Sequence, residues 1–382
     1  MIGRPSSWAA LETRRLRSLF IVIIRARAGN VRKGAATKRR AAIAGICLLG
    51  LLLIAVALHY KPSSLDDFPP FYRAGRLTGS ADLFAQRAFD AKAKMFLRTP
   101  FYAWLLRPLG VLEYPHARLV WMSLMVAAFT LSAWLWPGPR LNIVVAMCWA
   151  FPVLFALALG QDIALMMLSI AVAARLWMGG REFAAGLVAS LLALKITLLF
   201  PVGLVFLTRS RRGFGGLVSG AAAQFALSLA IQGPAWIPEY LAAVQSPLLD
   251  QVPARMPSVR ALVGGAPFAA AAAAIYGWLW WIARRVTPAQ ALTAALPLAI
   301  VAAPHCYVYD MAAAVPLLAS VASIKTARGI LAALALSPAP YVFMARDNPS
   351  SAGAAIIVAA VLASTTALPA ERVRAIASGN PA

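Results

Sequence analysis

How this chain crosses a membrane turns on the segment Arg181-Glu-Phe-Ala-Ala-Gly-Leu-Val-Ala-Ser190-Leu-Leu-Ala-Leu-Lys195-Ile-Thr-Leu-Leu-Phe-Pro201-Val-Gly-Leu-Val-Phe-Leu-Thr-Arg209-Ser-Arg211-Arg212. Residues 183–208 are apolar apart from a lysine near their middle, and basic residues close both ends. One straight helix would carry the second basic cluster to the far side of a membrane and invert every later loop. Two half-length helices of about 12 residues, each ~18 Å long, would instead meet near Lys195 and return. Broken helices are tolerated where the apex lines a polar cavity. Only the returning path keeps all later basic loops on one side, so the expectation is a re-entrant pair.

Outward from this stretch the same composition continues. The 382 residues are 61% hydrophobic with a mean hydropathy of +0.74, which excludes an ordinary soluble domain. Spans are expected near 41–59, 118–136, 141–159 and 163–178, and then near 214–231, 266–283, 288–304, 310–324, 329–344 and 353–369. The fold class is an all-α integral membrane protein, a multi-span helical bundle with a helical first outer loop. The net charge of +23 does not point to nucleic acid, because the basic residues fall in short clusters between apolar runs, as topology signals do. Three scattered cysteines, Cys47, Cys148 and Cys306, offer neither a disulfide framework nor metal-ligand spacing.

The domain plan is a basic cytoplasmic segment over residues 1–40, a membrane domain over 41–370 and a cytoplasmic tail over 371–382. No cleavage site follows the first span, which reads as retained. The patch Leu16–Ile24 reads either as an interfacial segment on an anionic leaflet or as an unstructured leader. With the N-terminus inside, the acids segregate to the outer side, apart from Glu12, Glu182 and Glu371. Two outer loops are long, residues 60–116 and 232–265. In the first, Ala81–Leu97 has helix-like composition, and Arg98–Leu109 reads as an amphipathic piece at the interface.

The outer polar groups carry the chemistry. In Leu65-Asp-Asp-Phe-Pro-Pro-Phe-Tyr-Arg-Ala-Gly75, the pair Asp66 and Asp67 stands beside Phe68, Phe71 and Tyr72, with Arg73 and Arg76 following. Apolar rings raise a carboxylate toward usefulness as a general base, and arginines hold an anion; the plain alternative is helix capping. Lys195 is costly at membrane depth unless paired, and its functional reading is a cation for a lipid phosphate. Gln161 suits a hydroxylated ligand, while capping accounts for Asp162. His305 and Asp310 bracket Tyr307 and Tyr309 at an outer helix end, and Arg255 lies in the second long loop. No third ligand joins His305 and Asp310, so neither a metal nor another cofactor is expected.

Several blocks, in this order, resemble glycosyltransferase family 87, the polyprenol-phosphate-mannose-dependent mannosyltransferases of the GT-C superfamily. They are Asp67–Gly75, Pro100–Leu109, Leu159-Gly-Gln161, Ala185–Pro201, Arg255-Met-Pro-Ser-Val259 and Ala303–Asp310, within roughly residues 41–345. The family's asparagine after Gly-Gln-X is replaced by Ile163. The resemblance implies a GT-C-type bundle in a bacterial inner membrane. It also implies inverting transfer of a hexose, most simply mannose, from a polyprenyl-phosphate donor to a lipid or glycan acceptor on the outer face. Asp67 would be the base, with Asp66 its neighbour in an alignment slip. Lys195, His305 and Arg73 would attend the donor phosphate, and Tyr72, Gln161, Asp162, Arg255, Tyr307 and Asp310 the substrates. The rivals are a secondary transporter, which lacks a paired repeat here, an O-antigen ligase or polymerase, whose large outer loop comes late, and an inactive scaffold.

Overall fold

The computed structural model describes residues 45, 67–85, 96–138, 140–245, 252–346 and 349–368. The chain divides into an N-terminal unit, Met1–Cys47, of which Gly45 alone is described, and a main unit, Leu48–Ala382. The basic N-terminal segment, Asp66 and all of the first expected span except Gly45 lie outside the described residues.

The main unit is helical. Its α-helices are α1 Phe68–Leu77, α2 Pro100–Gly110, α3 Tyr114–Leu135, α4 Arg140–Trp149, α5 Phe151–Ala158, α6 Ile163–Met178, α7 Glu182–Ala189 and α8 Ile196–Arg209. They continue with α9 Arg211–Gln232, α10 Trp236–Val244, α11 Gly265–Arg285, α12 Pro288–Val301, α13 Val315–Val321, α14 Ala327–Leu336, α15 Ala339–Ala345 and α16 Ala352–Thr365. By length and composition four runs are able to cross a bilayer, Tyr114–Leu135, Glu182–Arg209, Arg211–Gln232 and Gly265–Arg285, or up to six with two bent pairs counted as one span each. The protein is an integral membrane protein.

The run Glu182–Arg209 is long enough to cross once, yet its ends meet. Ser210 Oγ donates to Glu182 at 2.6 Å, and Trp177, just before α7, stacks on Phe206 near the end of α8 at 4.4 Å. A straight helix of 28 residues would hold those ends ~42 Å apart. The chain therefore folds back, as the charge pattern predicts. A 3-10 turn, Ser190–Lys195, makes the apex, and Lys195 leaves helical geometry at φ −138°, ψ 86°. Glycines seat this wedge. Gly213, Gly216 and Gly220 share one face of α9, and an added Cβ at Gly216 would press into the Phe183 carbonyl, one at Gly220 into Ser190. Gln224 Nε2 donates to the Ser190 carbonyl at 2.9 Å, satisfying a backbone group that the broken helix frees.

Two expected straight spans are bent instead. The stretch 141–159 is split at Ala150 by 56° and 329–344 at Ser337–Pro338 by 51°. Pro152 and Pro340 stand in the first turn of α5 and α15, where the missing N–H costs nothing but the preceding helix must stop. The stretch 310–324 is also not one α-helix: a 3-10 segment, Val308–Ala314, leads into the short α13. In the first outer loop Ala81–Phe84 is a turn and 96–99 is irregular, so the helical reading of 81–97 fails at both described ends.

The bundle has one basic end. Arg175 donates to the Leu135 carbonyl at 2.5 Å and Arg209 to the Arg284 carbonyl at 3.4 Å, near the Ser210–Glu182 contact. From there α9 runs 22 residues, ~33 Å, to the opposite end. There Gln232 meets Ser80, and Ser228 Oγ accepts from Phe101 N at 3.1 Å. The wedge apex points toward that opposite end.

Candidate active site

The turn between α5 and α6, Leu159-Gly160-Gln161-Asp162, organises the end away from Arg175 and Arg209. Gly160 takes φ +67°, a left-handed conformation open to glycine, and so sends the chain sharply from one helix to the next. Four consecutive residues then meet three partners, Asp67, Trp121 and Arg98. The Leu159 carbonyl accepts from Asp67 N at 2.8 Å, and the Gly160 carbonyl accepts from Trp121 Nε1 at 2.7 Å. Gln161 Nε2 donates to Asp67 Oδ2. Asp162 receives Arg98 in a two-point pair, Nε to Oδ2 at 3.0 Å and Nη2 to Oδ1 at 3.1 Å.

Asp67 is 4% exposed and does not cap α1 with its side chain. Phe68 behind it lies against Trp121 at 5.8 Å, and Phe71 meets the same indole at 5.4 Å. An added Cβ at Gly75 would sit 2.5 Å from the Leu106 carbonyl, so α1 and α2 pack backbone to backbone below the acid. The Pro-Pro-Phe-Tyr block thus fixes the helix that begins at the carboxylate.

A second ion pair joins the wedge apex to the segment after α12. Lys195 Nζ donates to Asp310 Oδ1, and Tyr307 N donates to Asp310 Oδ2 at 2.9 Å. The Lys195 and Asp310 side chains are 13% and 1% exposed. Lys195 Nζ also stands over the Tyr309 ring at 5.3 Å, and Tyr309 stacks on Tyr307 at 5.1 Å. His305 meets Tyr307 edge-on at 4.8 Å.

These groups form one cluster. The Tyr307 and Tyr309 phenols lie in the field of both Asp67 and Asp310, and Asp162 lies in the field of Lys195. Burial pushes the Tyr307 hydroxyl up to about 12, with Asp310 and Asp67 adding to it, so it stays a neutral donor. Burial holds His305 below its ordinary value against the pull of Asp310, and Lys195 adds to the depression. His305 is therefore neutral at pH 7 and offers a hydrogen bond, not a charge. Burial opposes ionisation of Asp162, but the Arg98 guanidinium outweighs it and holds the carboxyl below the usual range.

Of the residues singled out by sequence, Asp67, Gln161, Asp162, Lys195, His305, Tyr307 and Asp310 come together. Their roles shift. The Gln161 amide is committed to Asp67 and the Asp162 carboxylate to Arg98, with no capping bond from Asp162 to α6. Asp310 holds Lys195. Tyr72 donates its hydroxyl to the Leu112 carbonyl at 2.9 Å, and Arg255 reaches the Arg346 carbonyl at 3.5 Å. Arg73 lies half-buried on α1, and no described contact joins it to Lys195. The loop bearing Arg255 still borders the cluster, because Ser258 is within hydrogen-bonding reach of the Cys306 thiol. Arg98 was missed as a member. Its only mark in the sequence is a basic residue just before a Pro-initiated helix in a loop rich in acids.

The family model described as glycosyltransferase family 87 matches residues 96–307, more than half of the chain. The chain belongs to glycosyltransferase family 87. That match takes in Arg98, Gln161, Asp162, Lys195, His305 and Tyr307, while Asp67 and Asp310 lie outside it and reach the cluster through their bonds to Gln161 and Lys195. No curated protein and no solved structure matches the chain. Membership of family 87 makes the protein a glycosyltransferase, one that works within a membrane-embedded helical bundle.

Proposed function

We propose that this glycosyltransferase moves a hexose, mannose being the simplest assignment, from a polyprenyl-phosphate donor to an acceptor hydroxyl with inversion, on the extracytoplasmic face of a bacterial inner membrane. The observation that carries this reading is the meeting of Asp67 and the Lys195–Asp310 pair across Tyr307 and Tyr309, at the end of the bundle opposite Arg175 and Arg209. By the charge rule the end bearing Arg175, Arg181, Arg209 and Arg212 is read as cytoplasmic, and the cluster at the other end as outside.

In this mechanism the acceptor O–H gives its proton to Asp67 while its oxygen attacks the sugar C1 from the face opposite the phosphate. The C1–O bond to phosphate breaks and the electron pair leaves with polyprenyl phosphate. Gln161 aims the Asp67 carboxylate. Lys195 has three N–H donors, one of which goes to Asp310, so it can meet the phosphate without surrendering that partner. The pair with Asp310 gives the lysine a partner at membrane depth, and its cation stabilises the departing phosphate. His305 and Tyr307, both half-buried, supply neutral hydrogen bonds to the sugar or phosphate.

The test uses membranes containing the full chain and radiolabelled polyprenyl-phosphate-mannose, with nucleotide-linked mannose as a parallel donor. Label is expected in a lipid or polymer fraction from the polyprenyl donor alone. Asp67→Asn is expected to lower transfer by about 10²- to 10⁴-fold at unchanged protein level. Full activity of Asp67→Asn removes the assigned base, and transfer from the nucleotide donor alone removes the assigned donor.

A further inference from the structure

The base assigned above stands at the edge of the first outer loop, and a buried carboxylate there needs its direction fixed. Gln161 supplies the fixing contact, so the question becomes what fixes Gln161. The residue before it, Gly160, has its carbonyl held by Trp121 from α3. The residue after it, Asp162, is held by Arg98 through two parallel hydrogen bonds. Such a fork sets the angle of the carboxylate as well as its distance.

We propose that Arg98 is a positioning residue for glycosyl transfer: by clamping Asp162 it locks the turn from which Gln161 aims Asp67 at the acceptor hydroxyl. This rests on the reading of Asp67 as the base. Arg98 is not assigned to the donor phosphate, although its charge makes that the obvious guess. Its Nε and Nη2 go to Asp162, and its Nη1 donates to the Leu97 carbonyl at 3.1 Å, so each guanidinium nitrogen already has an acceptor. Arg98 also starts the segment that enters α2 through Thr99. It therefore ties the first outer loop to the turn between α5 and α6, giving the loop a second anchor beside the bond from Asp67 N to Leu159.

The experiment measures initial rates of label transfer from polyprenyl-phosphate-mannose in membranes, normalised to the amount of folded protein, over a range of donor concentrations. Arg98→Met is expected to lower turnover by about 10- to 100-fold, the cost of misplacing a reacting group by about 1 Å. The donor KM should stay within roughly threefold, because no donor contact is lost. Arg98→Lys should recover part of the turnover through a single bond to Asp162. Gln161→Ala should show a similar loss, and adding Arg98→Met to it should change little, because both act on Asp67 through the same turn. A raised donor KM with unchanged turnover would assign Arg98 to the donor instead, and losses that multiply in the double variant would show a path independent of Gln161. Either result overturns the proposal, as does wild-type turnover in Arg98→Met. Should Arg98→Met not accumulate, Asp162→Asn is expected to give the same pattern with a smaller fall, and a wild-type rate there counts equally against the proposal. Activity in Asp67→Asn would defeat the base assignment itself, whereas an inactive Asp67→Asn beside a fully active Arg98→Met would defeat the positioning role alone.

Discussion

Lys195→Met separates what the lysine does for the fold from what it does for the reaction. The substitution keeps an unbranched side chain and removes the charge, leaving Asp310 at 1% exposure without its cation. An ionised carboxylate stranded in this way costs about 3–5 kcal/mol. The Tyr307 N–H still donates to Asp310 at 2.9 Å and offsets part of the loss. The expected destabilisation is about 2–4 kcal/mol. Asp310→Asn should cost less, about 1–2 kcal/mol, because Lys195 is 13% exposed, stands over the Tyr309 ring at 5.3 Å and has a stem long enough to reach outward. The double variant strands no charge and should lie within about 1 kcal/mol of wild type, giving a coupling of about 4 kcal/mol. Unfolding in detergent, by heat or by titration with a denaturing surfactant, measures the four stabilities, and label transfer measures the four activities. Stability should return in the double variant while transfer does not. Purely additive stabilities would refute the pairing, and transfer regained in the double variant would refute Lys195 as the cation that meets the phosphate.

Two further outcomes follow from the packing and the topology. Gly216→Ala presses a Cβ into the Phe183 carbonyl, whereas Gly215→Ala meets open space. The first should destabilise the protein by about 1–3 kcal/mol in detergent and the second by less than about 0.5 kcal/mol, and equal effects would contradict the backbone packing of α7 on α9. In a background lacking Cys47, Cys148 and Cys306, single cysteines at Arg181 and Arg212 should react with a membrane-impermeant thiol reagent from the same side and one at Ala235 from the other. Opposite labelling of Arg181 and Arg212 would mean that residues 182–209 cross the bilayer once.

Charge made the wedge legible. The basic residues around Arg181 and Arg209–Arg212 had to share a side, and that requirement alone folded an apolar run back on Lys195. The lysine itself was equally visible, because nothing apolar replaces it in that run. Its partner was not, since 115 residues separate it from Asp310 and nothing local to either residue names the other. The same holds for Arg98 and Asp162, 64 residues apart, whose pairing turned an apparent helix cap into an ion pair. The bends at Ala150 and Ser337 were within reach, because Pro152, Pro338 and Pro340 stand at the breaks. Hydropathy averages over such prolines and draws one straight span. The hydrogen-bonding amide of Gln161 is visible in the sequence, but sequence does not tell whether an amide faces a ligand or a neighbouring carboxylate such as Asp67.

The main-chain bond from Asp67 N to the Leu159 carbonyl has an evolutionary consequence. Backbone tethers do not depend on which side chains surround them, so the carboxylate proposed as the base belongs mechanically to the helical scaffold and not to the loop that encodes it. Descendants of this chain are free to reshape the rest of that loop for new acceptors, because drift there leaves that carboxylate where it was.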